Sequence, residues 1–195
     1  MKTLRKTAEE AYLKYANKII NRETWIDGFI SGIQYKKEYP QSIELCGLLW
    51  DTENLAISGY EKDGHHYYTW QEAMDAAKAV GKRLPTWQEW KALCDLGSTW
   101  DDELKGRWFG GNHNSDHKGS LFLPAAGLRN NNSGELGNTS SYGYYWSSSP
   151  NYGGSNNAGH LYFSSGYVYP LSSNYRAIGF SVRCVRDKEY IYENI

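Results

Sequence analysis

A chain of 195 residues with Lys plus Arg at 21 against Asp plus Glu at 22 has room for one substantial core and an appendage, and carries no net basic field to recruit nucleic acid or an anionic membrane surface. Its three cysteines, Cys46, Cys94 and Cys184, form no CxxC and no close pair, which argues against a disulfide framework or a structural zinc site and makes buried free thiols the expectation. No apolar stretch approaches membrane-spanning length, and the opening MKTLRKTAEEAYLKY reaches Glu9 and Glu10 before any apolar run, so it does not read as a secretory signal and a soluble chain is expected.

Residues 1–42 read as a helical N-terminal extension. Ala8, Ala11, Tyr12, Tyr15, Ile19 and Ile20 fall at helical spacing, and a second helix restarts near Arg22 to Thr24 with Trp25, Phe29, Ile30 and Ile33, ending before Pro40. An appendage docked on the main domain and a device that joins copies of the chain into a homo-oligomer fit this pattern equally. Residues 43–195 read as one α+β domain. The apolar run LCGLLW and the stretch Ala56 to Gly59 suggest short strands. Thr69 caps a helix carrying Trp70, Ala73, Ala76, Ala77 and Val80 and ending at Gly81; Pro85 and Thr86 open another carrying Trp87, Trp90, Leu93 and Cys94 and ending at Gly97. From Gly106 to Arg186 the pattern is short strands joined by long Gly, Asn and Ser loops. Leu161 and Phe163 alternate with His160, Tyr162 and Ser164, and Val168 stands between Tyr167 and Tyr169, which predicts one core face with the tyrosines pointing outward.

Ala125 to Arg183 holds eight tyrosines and much Ser, Asn and Gly, yet only four charged residues, Arg129, Glu135, Arg176 and Arg183. Interspersed apolar residues supply enough area for a packed core, so the segment is expected to be ordered. An ordered surface of this composition is that of a paratope: tyrosine gives large contact area at little rotamer entropy, while Ser, Asn and Gly give adaptable hydrogen bonds. The same surface lacks the cations that would track a nucleic-acid backbone.

Metal and catalytic chemistry find little support. His113 and His117, with Asp116 between, could share a helical face, but Gly110, Gly111, Asn112 and Asn114 oppose a helix there. His65 and His66 precede Tyr67 at a strand start, where neighbours point to opposite faces. No GxSxG, HExxH, P-loop or GxGxxG occurs, so the expectation is a binding protein with no enzymatic activity, cofactor or metal.

The succession YYTWQEAMDAAKAVGKRLPTWQEW, LFLPAAGLRNNNSG, GYYWSSSP and GFSVRCVRD, spanning roughly Glu44 to Asp187, resembles the C-type lectin fold branch shared by formylglycine-generating enzymes and the variable proteins of diversity-generating retroelements, most closely the latter as found in phages and gut bacteria. The resemblance implies a C-type lectin fold with long Gly/Asn/Ser loops and a variable region of about residues 147–183, rewritten by error-prone copying at adenines. It also implies a virion-associated or cytoplasmic protein that engages a protein or cell-surface ligand, with a static adhesive or structural module of the same fold, or a non-catalytic relative of the formylglycine-generating enzymes, as the alternatives. The enzymes of this branch act through cysteines in the C-terminal part of the fold; Ser164 to Gly179 has none, and Cys184 reads as structural. Calcium-dependent lectins need an EPN or QPD tripeptide followed by WND; neither tripeptide occurs, so calcium and sugar binding are not carried over.

The genetic code gives an independent check. An AAC codon randomised at both adenines becomes NNC, which never encodes Lys, Glu, Gln, Met or Trp. Asn151 through Ile178 contains none of the five, although they make up roughly a fifth of ordinary composition. On that reading the ligand-binding face is Asn151, Tyr152, Ser155, Asn156, Asn157, His160, Tyr162, Ser164, Tyr167, Tyr169, Ser172, Ser173, Asn174 and Tyr175, on a scaffold of Trp146, Leu161, Phe163, Val168, Phe180 and Val182.

Overall fold

The computed structural model describes residues 42–111, 117, 119–151 and 156–188; the helices expected before Pro40 lie outside the described residues. Strand β1, Ser42–Leu45, and β2, Leu48–Asp51, form a hairpin with Leu45 opposite Leu48. Cys46 (φ 53°) and Gly47 (φ 76°) are both left-handed, the geometry of a two-residue turn whose twist matches the strands. The run LCGLLW is therefore a strand end, a turn and a second strand. Cys46, expected to be buried, sits at the exposed tip, whereas Cys94 is half-buried and Cys184 buried. The strand expected over Ala56 to Gly59 is displaced: β3, Tyr60–Lys62, pairs with β4, His65–Tyr67, through Asp63 (φ 54°) and Gly64 (φ 77°). Asp-Gly is the strong turn signal here, and it fixes the hairpin after Gly59.

Helix α1, Trp70–Ala79, and α2, Trp87–Asp95, start where their caps require. The Thr69 hydroxyl accepts from the Glu72 amide and the Glu72 carboxylate accepts from the Thr69 amide; Thr86 and Glu89 repeat the exchange. Each box satisfies two otherwise orphaned donors. Gly81 (φ 69°) and Gly97 (φ 85°) follow the two helix ends. Among the described residues no helix is long and apolar enough to cross a membrane.

The remaining strands are β5, Ser98–Asp101; β6, Gly106–Phe109; β7, Leu121–Pro124; β8, Leu128–Arg129; β9, Leu136–Gly137; β10, Gly143–Pro150; β11, Asn157–Phe163; β12, Val168–Tyr175; and β13, Val185–Asp187. They build small sheets ordered β1-β2-β13, β3-β4, β5-β6-β7, β8-β9 and β10-β11-β12. The described residues are thus mostly β-sheet with two helices, an α+β arrangement.

The β10–β11 pair divides the interior. Tyr145, Leu161 and Phe163 point into one cluster with Trp50, Trp90 and Phe109, while Tyr144, Trp146 and Ala158 point into a second with Tyr68, Ala77 and Phe180. Strands covered on both faces lose the polar alternation of a half-buried sheet, which is why Gly143 through Ser147 is buried without interruption. The expected rule of one core face and one outward face fails here for the same reason: His160 is only 2% exposed and Ser164 is also buried.

The C-terminal segment closes the fold. Val185 pairs with Trp50, and the wholly buried Arg183 donates to the carbonyls of Asp51 and Thr52 and twice to Asn54 Oδ1. Trp146, whose ring lies 4.3 Å from Phe180 and whose N–H bonds the Tyr68 carbonyl, tests the interior. Trp146→Ala should cost about 3–5 kcal/mol in urea denaturation, while Tyr175→Ser at the exposed edge should stay within about 0.5 kcal/mol. Equal losses would mean that the two faces are wrongly assigned.

Candidate functional site

β12 is the outer strand of its sheet, and its register decides which side chains meet. Asn157 opposes Tyr175 and His160 opposes Ser172, but Tyr162 opposes Tyr169, so Leu161 faces two residues, Pro170 and Leu171. This bulge shifts the alternation by one. Cross-strand partners share a face. Tyr169 therefore joins Tyr144 and Tyr162 on one face, while Ser173 and Tyr175 lie with Gly159 and Asn157 on the other.

On the first face the rings form a row. Tyr144 and Tyr162 have centroids 5.0 Å apart, Tyr162 and Tyr169 6.1 Å with planes 12° apart, and Tyr142 stacks on Tyr162 at 5.6 Å and 13°. Tyr167 reaches in from the β11–β12 turn, its hydroxyl 2.8 Å from that of Tyr162 and its ring 5.0 Å from Tyr169. Tyr144 anchors the inner end, stacked on Phe180 at 5.0 Å, with its hydroxyl accepting from Asn138 Nδ2 at 2.9 Å. The row runs outward from this buried ring to Tyr169, 55% exposed. Four of the eight large hydrophobic side chains exposed among the described residues, Tyr167, Tyr169, Leu171 and Tyr175, belong to β12 and its preceding turn.

The other face is more polar. Asn151 Nδ2 approaches Ser173 Oγ at 3.4 Å, and the Asn156 and Asn157 carbonyls accept from the backbone amide and Nε of Arg176. Arg176 also lies over the Trp70 ring at 4.3 Å, so the one charge between Asn151 and Ile178 is held in place. Asn174 turns its side chain onto the Tyr175 amide. A Cβ at Gly159 would overlap the Trp87 indole, which fixes that position as glycine.

Of the fourteen residues expected on the face, Tyr152 and Ser155 lie outside the described residues, and His160 and Ser164 are buried. The Ser164 carbonyl accepts from Arg107 Nε and its hydroxyl from the Gly166 amide, so it braces the turn. His160 packs between Tyr144, Trp146 and Phe180, and no hydrogen bond reaches its Nδ1. Ser172 and Asn174, opposite His160 and Ala158, are half-buried. Sequence reasoning missed Tyr142 and Tyr144, which precede the codon-restricted window; their signal was the SSYGYY run entering a core strand.

No group of three or more His, Cys, Asp or Glu side chains stands together among the described residues. His113 and Asp116 lie outside them, and His117 stacks on Trp108 with centroids 4.4 Å apart. Burial pushes the Cys184 thiol up to about 12, and the neighbouring guanidinium of Arg183 is engaged elsewhere. The thiol stays protonated at neutral pH and is a poor nucleophile.

The described residues thus define an α+β protein whose outer sheet edge displays a tyrosine row over a rigid interior. A family model described as a domain of unknown function (DUF8237) matches residues 95–185, from the end of α2 to the start of β13, and so spans the whole row. No curated protein and no solved structure matches the chain.

Burial lowers the His160 pKa from 6.5 to about 3. The ring is neutral in the fold and free to protonate in the unfolded chain, so its contribution is complete above pH 6.5 and is lost as pH falls toward 3. At pH 5 this amounts to about 2 kcal/mol relative to pH 7.5. His160→Asn should flatten this part of the stability profile in urea melts; an unchanged slope between pH 7.5 and 5 would refute it.

Proposed function

We propose that this chain is a variable protein of a diversity-generating retroelement, with a C-type lectin type of fold presenting a Tyr/Ser/Asn-rich surface to a protein or cell-surface ligand. The observation that carries the reading is the row formed by Tyr142, Tyr162, Tyr167 and Tyr169, three of whose members fall inside the window compatible with NNC codons. Tyrosine rings on a braced strand pair offer area and hydroxyls with little ordering cost on binding. The second face adds Asn151, Asn156, Asn157, Ser173 and Tyr175 as adaptable polar contacts. His160 and Ser164 take supporting roles, and binding proceeds by shape and hydrogen-bond complementarity without covalent chemistry.

The supporting arrangement suits a surface that must change. Core residues leave β10 and β11 on both sides, so the scaffold does not depend on the exposed side chains of β12. Exposed substitutions are usually near neutral for stability. Monomers seldom expose so much amphipathic aromatic area without using it.

Sequencing the flanking DNA tests the origin. A near-copy of the segment encoding about Ser147 to Arg183, differing almost only where the copy has adenine and lying beside a reverse-transcriptase gene, is expected. No repeat, or differences spread over all four bases, would return the protein to a static adhesive module. Surface display of the full chain against a library of cell-surface proteins tests the site: Tyr162→Ala, Tyr167→Ala and Tyr169→Ala should each weaken a captured ligand by about tenfold or more, with EDTA without effect. Loss on chelation with the tyrosine variants binding normally would sink the assignment.

A further inference from the structure

The guanidinium of Arg129 makes no hydrogen bond and no ion pair among the described residues. By contrast Arg83, Arg107, Arg176 and Arg183 each donate to carbonyl or carboxylate oxygens. Yet Arg129 is firmly placed. It opposes Leu136 in the β8–β9 hairpin, its amide donates to the Gly179 carbonyl at 2.8 Å, and its own carbonyl accepts from the Gly179 amide at 2.9 Å. Its Cζ lies 4.5 Å over the ring of Tyr60 in β3. Gly134, left-handed at φ 71°, comes so close that a Cβ there would stand 3.1 Å from Nη2. The loop carrying Gly134 is set by Asn130, whose Oδ1 accepts from the Asn132 and Ser133 amides and whose carbonyl accepts from the Gly134 amide. The ring face offsets part of the charge but takes none of the five N–H donors. Nε is buried without an acceptor, whereas the two terminal nitrogens are not sealed in this way. The fork is held in place before any ligand arrives.

The complement of that open edge is a planar oxyanion, and a carboxylate accepts two parallel N–H bonds from the terminal nitrogens. The setting favours a single negative charge. Lys62 shares the Tyr60 face of β3 but is followed by Asp63, and Glu61 is turned to the Gly64 amide, so Arg129 is the surplus charge between the two hairpins. Beside the fork the Tyr60 ring, 39% exposed, extends an apolar platform. We propose that Arg129 and Tyr60 form a carboxylate-binding subsite between the β3–β4 and β8–β9 hairpins, taking a monocarboxylate whose apolar body lies on the Tyr60 ring. The subsite uses no member of the tyrosine row and does not need the diversified-surface reading, because Tyr60, Arg129 and Gly134 all precede residue 147.

The test follows the Arg129 Nε–H cross-peak and the Tyr60 ring signals of the full chain by NMR at constant ionic strength. Benzoate, acetate, a peptide ending in a free phenylalanine carboxylate and an amidated peptide with one glutamate are titrated separately. Benzoate should shift both signals saturably with a Kd of about 10 mM, and acetate should bind more weakly because it leaves the ring uncovered. Binding of the first peptide assigns the carboxylate to a chain terminus, binding of the second to an acidic side chain, and binding of benzoate alone to a free acid. Arg129→Lys keeps the charge but loses the fork, so benzoate binding read at Tyr60 should fall at least tenfold. Tyr60→Ser, at an exposed position where stability changes little, should weaken binding read at Arg129 by a similar factor, and Lys91→Ser on α2 should not. The signals of Tyr162, Tyr167 and Tyr169 should stay in place. No saturable shift with any of the four compounds to about 100 mM, an equal shift with chloride or inorganic phosphate, shifts centred on the tyrosine row, or benzoate binding that survives both Arg129→Lys and Tyr60→Ser would each overturn the proposal.

Discussion

The fold depends on how one buried cation is satisfied. Arg183 is wholly enclosed, and burial disfavours its charge; an enclosed guanidinium must find acceptors for its donors or cost several kcal/mol. It finds the Asp51 and Thr52 carbonyls and the Asn54 amide oxygen, all on the segment leaving β2. That demand shapes the loop, and the neighbouring backbone follows: the Asp51 amide bonds the Cys184 carbonyl and the Leu55 amide bonds the Val182 carbonyl. With 182–185 so placed, Ser181 bridges to Tyr145, Phe180 to Tyr68 and Gly179 to Arg129. One short segment therefore aligns β2, β8, β10 and the residue that follows β4, and it leaves β10 where its tyrosines can start the exposed row.

Local chemistry made the helices legible. A threonine followed three residues later by glutamate marks both starts, and glycine follows both ends, with no need of tertiary information. The hairpins were readable in principle from Cys46-Gly47 and Asp63-Gly64, but an apolar run read as one strand conceals a turn inside it, and Ala56 to Gly59 attracted a strand that the Asp-Gly turn moved to Tyr60. Alternation failed where burial is two-sided. His160 looks like an outward residue because its neighbours Leu161 and Gly159 are small or apolar, yet Tyr144, Trp146 and Phe180 cover it. Only the placement of a second core against the same strands reveals that, and no period of two encodes it.

The candidate face was legible in composition and less so in geometry. Tyr162, Tyr167 and Tyr169 come together through ring contacts across strands and the intervening turn. Tyr175 does not join them, because a single unpaired residue near Pro170 and Leu171 changes the phase of the strand. Proline lacks an amide donor and is tolerated at a sheet edge or a bulge, so Pro170 was a visible hint. Tyr142 escaped notice because its membership follows from its ring stacking on Tyr162 across the β10–β11 pair, which no local pattern marks.

The bulge has a geometric consequence for any partner. Tyr169 and Tyr175 sit on one strand but project from opposite sides of the sheet, with nothing paired to that strand's outer edge among the described residues. A flat or rigidly convex body can reach one of them or the other. A body that reaches both must straddle the rim like a clip over the edge of a page, so its concavity matters more than its area, and lengthening or closing the bulge would change which shapes are admitted without altering a single contacting side chain.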